Sequence, residues 1–341
     1  MINTIYRLKS PKIFEESFEE INVSKNEVLI RPYYLSICKA DQRYYRGERE
    51  NAILNEKLPL ALVHEGIGEV IYSKSNDFKN GDIVVMIPNI LYEEDNIIAG
   101  NYLYSSKFMS SDTDGFLKEY VVLNENRILK IPKTFNLEVS SFIELLSVAV
   151  HAISKFKQFS KTKKESIGVW GDGNMGYIVS LFLRFSFPDS SIYVFGKDKE
   201  KSSFFSFIDK FYLIHEIPKN LKVDHGFECV GGEKSQSAIS QIINYTNPEG
   251  SLALLGVSEY SINIETRKVL EKGLVLYGIS RSEYDDFKNT IAILKKYPKI
   301  ISYLENIISL KIDINALEDL NHAFEEDYHS SFGKTILSWN I

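Results

Sequence analysis

The sequence predicts an α/β protein in which a β-rich domain is interrupted by a doubly wound, mostly parallel sheet. Three observations predict it. The first 145 or so residues carry short apolar runs bounded by turn residues. From about residue 160, strand-like runs alternate with helical segments, the signature of a parallel sheet covered by helices. Between the first of those strands and its helix lies a glycine-rich loop, Gly171-Asp172-Gly173-Asn174-Met175-Gly176.

In the β-rich part, Glu27–Pro32 and Asp82–Ile87 read as strands. Gly66–Ile71 followed by Lys79-Asn80-Gly81-Asp82 reads as strand, turn, strand, because glycine tolerates the positive φ such a turn needs. In the α/β part the strands are Ser166–Trp170, Ser191–Phe195, Asp224–Val230, Ser251–Gly256 and Val275–Ile279, with helices over Asn174–Phe185 and Ser235–Tyr245. The tail holds helices near Tyr284–Lys296 and Ile314–Glu325 and a closing strand, Gly333–Trp339. The expected division is a catalytic domain over 1–146, a nucleotide-binding domain over 147–282, and a return to the first domain over 283–341.

Length and composition agree with two soluble domains. The chain has 341 residues, 44% of them hydrophobic and 25% charged. Its net charge of −6 gives no general attraction to nucleic acid or anionic membranes, so any phosphate must be met by local basic residues. Two cysteines, Cys38 and Cys229, exclude a disulfide framework. The first residues lack a long apolar run after a basic cap, and no stretch reaches the ~20 apolar residues of a membrane span. A cytoplasmic protein is expected.

The glycine loop has the context its pattern requires, a strand before it and a helix after it. Gly171 allows the tight turn, Gly173 lets the backbone approach a pyrophosphate, and Gly176 lets helix and strand pack closely. The helix N-terminus, opening at Asn174 and Met175, offers unpaired N–H groups to the phosphates. An NAD site carries an acidic residue about 20 positions on, for the ribose 2′-hydroxyl. Here the second strand runs into Gly196-Lys197-Asp198-Lys199. Lys197 would attract a 2′-phosphate and Gly196 would leave room for it, so NADPH is the expected cofactor; Asp198 is the residue that would favour NAD instead.

Cys38, His64 with Glu65, and Glu144 each have an ordinary explanation alone: a small core residue, a surface pair, a helix-start carboxylate. Together they resemble the medium-chain zinc-dependent alcohol dehydrogenases. The pattern is a Cys followed by a small residue and Asp (Cys38, Asp41), then His-Glu-x-x-Gly (His64 to Gly68), then a third ligand before a helix leading into the nucleotide domain (Glu144). The similarity spans essentially the whole chain, including Gly115–Val122, and implies a GroES-like catalytic domain beside a Rossmann domain. It implies one catalytic zinc on Cys38, His64 and Glu144, with Glu65 exchanging onto the metal or supporting it. Zinc takes such S, N and O donors in a tetrahedron and keeps one position open for a substrate oxygen. A glutamate as third ligand resembles the polyol branch. The nicotinamide is implied near Val230-Gly231 and Leu255-Gly256-Val257.

Two departures narrow the resemblance. Relatives that hold a structural zinc use four closely spaced cysteines; the stretch 88–109 has none, so no structural zinc is expected. Relatives also carry Ser or Thr two residues after the metal-binding Cys as a proton relay, and this chain has Ala40. Proton delivery would then use zinc-bound water, Glu65 or a nearby tyrosine.

The turn Asp41-Gln42-Arg43-Tyr44-Tyr45-Arg46 lines the substrate cleft in the polyol branch. Arg43, Tyr44 and Arg46 are the candidates for a substrate phosphate, since guanidinium binds phosphate in a bidentate way; their ordinary alternative is surface charge and packing. Arg281 is a further basic candidate. Ser36–Tyr45, Trp170–Asn174, Tyr193–Lys197, Phe227–Gly232 and Leu254–Glu259 are similar to the ribulose-5-phosphate reductases. That resemblance implies reduction of D-ribulose 5-phosphate to D-ribitol 5-phosphate, which a cytidylyltransferase turns into CDP-ribitol for teichoic acid or capsule. A homodimer or homotetramer is usual for the family. The residues alone reach only an anionic polyol or ketose. Rival readings are an NAD-dependent polyol dehydrogenase of the sorbitol type and a catalytically silent nucleotide-binding protein on the same scaffold.

Overall fold

The computed structural model describes residues 1–330 and 332–341. The chain forms two compact units, Met1–Ser147 with Arg281–Ile341, and Val148–Ser280.

The first unit is built on an N-terminal hairpin and a larger sheet. Ile2–Ser10 pairs antiparallel with Ile13–Glu20, and the same strand pairs with Leu60–Ala61. The larger sheet runs in the order Ile128–Lys130, Ile83–Met86, Glu65–Ser73, Glu27–Ser36, Lys334–Trp339, Ile308–Ile314. The turn at Asn80-Gly81 forms as expected, with Gly81 at φ +87. The C-terminal strand returns to the first domain, Ile336 opposite Ser36 and Leu337 opposite Leu35. One core fills this unit, with Tyr45 stacked on Phe14 and tilted against Phe324.

The second unit is a six-stranded, all-parallel sheet. Its order is Lys210–Leu213, Ser191–Gly196, Ser166–Trp170, Val223–Glu228, Thr246–Leu254, Val275–Gly278. Numbered within the unit this is 3-2-1-4-5-6, the Rossmann arrangement, with its switch point between the first and fourth strands. The central strand Ser166–Trp170 is buried on both faces, which is why it reads as a continuous apolar run. Trp170 stacks on Phe195 across the first pair, centroids 3.9 Å apart.

Two tail segments differ from the sequence reading. The helix expected over Ile314–Glu325 spans Leu317–His329, and Ile308–Ile314 before it is a strand. The apolar residues Ile308, Leu310, Ile312 and Ile314 recur with period two, and Asp319 caps the following helix by accepting from Asn315 N and Ala316 N. The edge strand Lys210–Leu213 is too short and too mixed in character to stand out in the sequence.

Candidate metal centre and nucleotide cleft

Cys38 follows the strand Glu27–Ser36 and is the N-cap of the helix Lys39–Tyr45, so its backbone is extended while the next residues turn. Asp41, in the first turn of that helix, is fully buried and accepts four ways. Oδ2 takes the Cys38 N–H at 3.0 Å; Oδ1 takes the Val63 N–H at 3.0 Å and the Ser110 hydroxyl at 2.5 Å, and lies 3.3 Å from His64 Nδ1. One carboxylate thus sets both Cys38 and His64, and leaves His64 Nε2 as the nitrogen available to a metal.

The chain reaches His64 through a strained turn. Val63 has φ +68, a conformation that β-branched residues rarely adopt. The strain is held by the segment Gly115–Leu117: Gly115 N–H donates to Ala61 O at 2.7 Å and Phe116 N–H to Val63 O at 2.7 Å. A Cβ on Gly115 would stand 2.3 Å from Val63 O and 2.5 Å from Leu62 O, so only glycine allows this approach.

The ligand atoms of Cys38, His64 and Glu65 all lie within 4.8 Å of one another. Glu65 is sealed from solvent and pairs with Lys334, Nζ to Oε1 and Oε2 at 2.9 Å, while Lys334 also donates to Ile37 O at 2.8 Å. Lys334, which nothing in the sequence singles out, is buried at the start of the strand Lys334–Trp339 beside this group. Glu144 stands in the first turn of the helix Ile143–Phe159, 4% exposed, outside the group of three. Among the described residues no cationic side chain comes within ion-pair distance of it.

Electrostatics follow from this crowding. Burial pushes the Glu144 carboxyl up to about 7, with Glu65 and Asp41 adding to the rise and His64 and Lys334 opposing it. Burial also raises Glu65 against the pull of Lys334 and His64. Burial alone would lower His64, but Asp41 and Cys38 facing it hold it well above the usual imidazole value. A thiol, an imidazole and a buried carboxylate suit a borderline-soft divalent cation, which would relieve the charge crowding. The residues therefore fit zinc.

Beyond His64 the site continues into basic ground. His64 packs edge-on to Phe108, centroids 5.2 Å apart, and the Arg281 guanidinium lies 5.0 Å from the same Phe108 ring. Arg281 has φ +59, and its polar contacts among the described residues are long, 3.4 Å to Ser106 Oγ and 3.5 Å to Asp112 Oδ2. Lys57 reaches the other oxygen of Asp112 at 3.3 Å. Of the residues expected at a substrate phosphate, Arg46 bonds Glu48 at 3.1 Å and lies 3.5 Å over the Tyr328 ring. Tyr44 is a core residue, 3% exposed, and presents almost no surface to a ligand. Arg43 lies in the last turn of the helix Lys39–Tyr45.

The second unit carries a cavity of about 320 Å³ lined by Gly171, Gly173, Gly196, Lys197, Val230 and Lys234 among others. Gly171 has φ +128, and a Cβ on Gly176 would meet Gly171 O at 2.0 Å, whereas nothing lies within 4 Å of one on Gly173. These are the turn, the close packing and the open approach that a pyrophosphate loop needs. Asn174 and Met175 begin the helix Asn174–Ser186. Asp172 Oδ2 accepts the backbone N–H groups of Lys197 at 2.6 Å and Asp198 at 2.9 Å. Gly196 is accounted for by this packing: a Cβ there would strike Phe211 and Asp172, so the space above it is filled by the protein itself. Asp198 caps the following turn, accepting from Glu200 N at 2.9 Å. Lys234, beside Gly231-Gly232, is a second cation on the cavity that the sequence reading did not single out.

The alcohol dehydrogenase GroES-like domain model matches residues 24–133. Over its full length the chain is 47% identical to the ribulose-5-phosphate reductase of Bacillus spizizenii, covering 100% of both chains. It is 47% identical to ribulose-5-phosphate reductase 1 of Staphylococcus aureus, covering 99% of each. Its structure is similar to that of S. aureus TarJ in complex with NADPH, TM-score 0.89 at 43% identity, covering 100% of both chains. The likeness at 21% identity to a 2R,3R-butanediol dehydrogenase of Bacillus subtilis, TM-score 0.82, extends the fold further. With this full-length similarity, the GroES-like unit and the Rossmann unit in one chain, the protein belongs to the ribulose-5-phosphate reductase family of the medium-chain alcohol dehydrogenases.

Proposed function

We propose that this chain reduces D-ribulose 5-phosphate to D-ribitol 5-phosphate with NADPH, at a single zinc held by Cys38, His64 and Glu144. The observation that carries the reading is the 47% identity to ribulose-5-phosphate reductases across the whole chain. When bound, zinc supplies a Lewis acid for the C2 carbonyl and NADPH supplies the hydride.

The chain's own residues do the rest. Asp41 fixes Cys38 and orients His64. Lys334 holds Glu65 in the cluster with Cys38 and His64, where Glu65 supports the metal or exchanges onto it. Lys197 and Lys234 are the cations for the cofactor's phosphates, and the Val230-Gly231 and Leu255-Gly256-Val257 segments border its nicotinamide. Arg281, with Lys57 behind Asp112, holds the substrate's 5-phosphate: its contacts are long and readily exchanged, and Phe108 links it to His64. Arg43 and Arg46 are the other candidates. The product then suits a cytidylyltransferase that makes CDP-ribitol for teichoic acid or capsule. Among the described residues no helix is long and apolar enough to cross a membrane. A cytoplasmic homodimer or homotetramer is part of the same reading.

The test is a comparison of Arg281→Ala, Arg43→Ala and Arg46→Ala on ribulose 5-phosphate. Losing a charge-assisted phosphate contact is expected to raise KM for Arg281→Ala about tenfold or more. An unchanged KM in that variant, with a rise in either of the others, moves the phosphate to the turn after Cys38.

A further inference from the structure

Glu228 ends the strand Val223–Glu228, at the carboxyl edge of the sheet and next to the switch point. Its side chain is fully buried, and among the described residues no basic group pairs with it. Instead three backbone N–H groups converge on it. Oε1 accepts from Val230 at 2.8 Å and Gly231 at 2.9 Å; Oε2 accepts from Gly256 at 2.9 Å. Two different turns, one after each of two adjacent strands, are therefore tied to a single carboxylate. Gly232 N–H to Val257 O at 2.9 Å joins the same two turns directly. The fit is tight: a Cβ on Gly256 would lie 2.6 Å from both Glu228 oxygens and 2.3 Å from Gly231 N.

The chemistry asks for a carboxylate here. Three converging donors need acceptors on both oxygens, and a glutamine would turn an NH2 toward an N–H. The sheet order says what the turns are for. With the pyrophosphate on the loop after the first strand, the adenosine half lies toward Gly196 and Lys197, and the nicotinamide half toward the fourth and fifth strands. There Val230 and Val257, at the tips of the two turns, are 38% and 59% exposed, an apolar pair of the kind a flat ring covers.

We propose that Glu228 is the positioning residue of the nicotinamide half of the cleft, fixing the Val230-Gly231 and Gly256-Val257 turns at the separation that seats the ring for hydride transfer. The inference rests on the cofactor reading above and deepens it.

The experiment compares wild type, Glu228→Gln and Glu228→Asp for binding of NADPH, binding of 2′,5′-ADP, and turnover with NADPH or its 4-deuterated form. 2′,5′-ADP carries only the adenosine half, so it reports on the fold of the unit and on Lys197 without the two turns. In Glu228→Gln, one lost bond to a buried charge is expected to weaken NADPH about tenfold and to enlarge the deuterium effect on kcat, with 2′,5′-ADP affinity unchanged. Glu228→Asp keeps the charge one methylene short; it is expected to show the same pattern more mildly, and it carries the test if the glutamine variant does not fold. NADPH affinity and isotope effect unchanged in both variants, or an equal loss of NADPH and 2′,5′-ADP, would overturn the proposal. A wild-type protein that binds no NADPH removes the cofactor reading itself, a different failure from either of these.

Discussion

Glu65 and Lys334 form an ion pair sealed from solvent, Oε2 2.9 Å from Nζ, across 269 residues of sequence. It joins the C-terminal strand to the residue beside His64, so the last segment of the chain borders the candidate metal centre. Burial acts against both charges; Lys334 Nζ offsets this by donating to Glu65 Oε1 and Ile37 O, while Glu65 Oε2 accepts no hydrogen bond among the described residues.

Removing one partner alone leaves a buried charge without compensation. Lys334→Met is expected to lower unfolding free energy by about 3–5 kcal/mol, read from urea denaturation. The double variant Glu65→Gln with Lys334→Met should recover a large part of that loss. Equal instability of the single and double variants would show that shape, not charge, is what Lys334 contributes.

Asp41→Asn tests the other support of the centre. The amide keeps one acceptor and loses the charge that faces His64 Nδ1, so both ligands lose their fixed orientation. Zinc affinity, measured by competition with a chromophoric chelator, is expected to fall about 10–100-fold. Wild-type affinity in Asp41→Asn would mean that the backbone alone sets Cys38 and His64.

His225 gives the nucleotide unit an acid sensitivity. Its ring is buried against Phe156, Nδ1 accepts the Ser251 N–H at 3.1 Å, and Nε2 lies 2.9 Å from Lys163 O, so the neutral Nε2–H form is the one held. Burial pushes its pKa down to about 4. Below an unfolded value of about 6.5 the unfolded chain takes a proton that the folded chain refuses. Stability is therefore expected to fall as pH drops from about 6.5 toward 4, and to be insensitive to this group at higher pH. Urea unfolding across that range should show the slope in wild type and a smaller one in His225→Asn; identical slopes would remove His225 as its source.

Cofactor choice should follow the cations on the cavity. Lys197→Ala is expected to raise KM for NADPH about tenfold and leave KM for NADH near its wild-type value. Equal effects on both cofactors would place Lys197 away from the 2′-phosphate.

Much of this molecule was legible in its sequence, for reasons that differ by element. Five of the six parallel strands of the nucleotide unit and the helices Ser235–Tyr245 and Tyr284–Lys296 declare themselves because apolar pattern and turn residues agree. The glycine loop is readable because each glycine answers a steric demand within a few residues. Cys38, His64 and Glu65 are readable as a spacing, and the fold gathers them. What the sequence hides is long-range. Nothing local marks Lys334 as the partner of Glu65, Gly115 as the buttress of Val63, or Arg281 as a neighbour of Phe108. Glu228 is hidden differently: a glutamate at a strand end looks solvated, and only the two turns folded over it make it a buried anchor. Gly196 shows the converse, where a local explanation, room for phosphate, gave way to the packing of Phe211 and Asp172.

The most direct measurement is a steady-state comparison of ribulose 5-phosphate with NADPH or NADH, and of sorbitol with NAD or NADP, on protein whose zinc content is measured, then stripped by chelator and reloaded. The expected result is about one zinc per chain, the highest kcat/KM with ribulose 5-phosphate and NADPH, loss of that activity on chelation and its return with zinc. Higher kcat/KM for sorbitol with NAD, or full activity in the metal-free protein, would contradict a zinc-dependent reductase of a ketose phosphate.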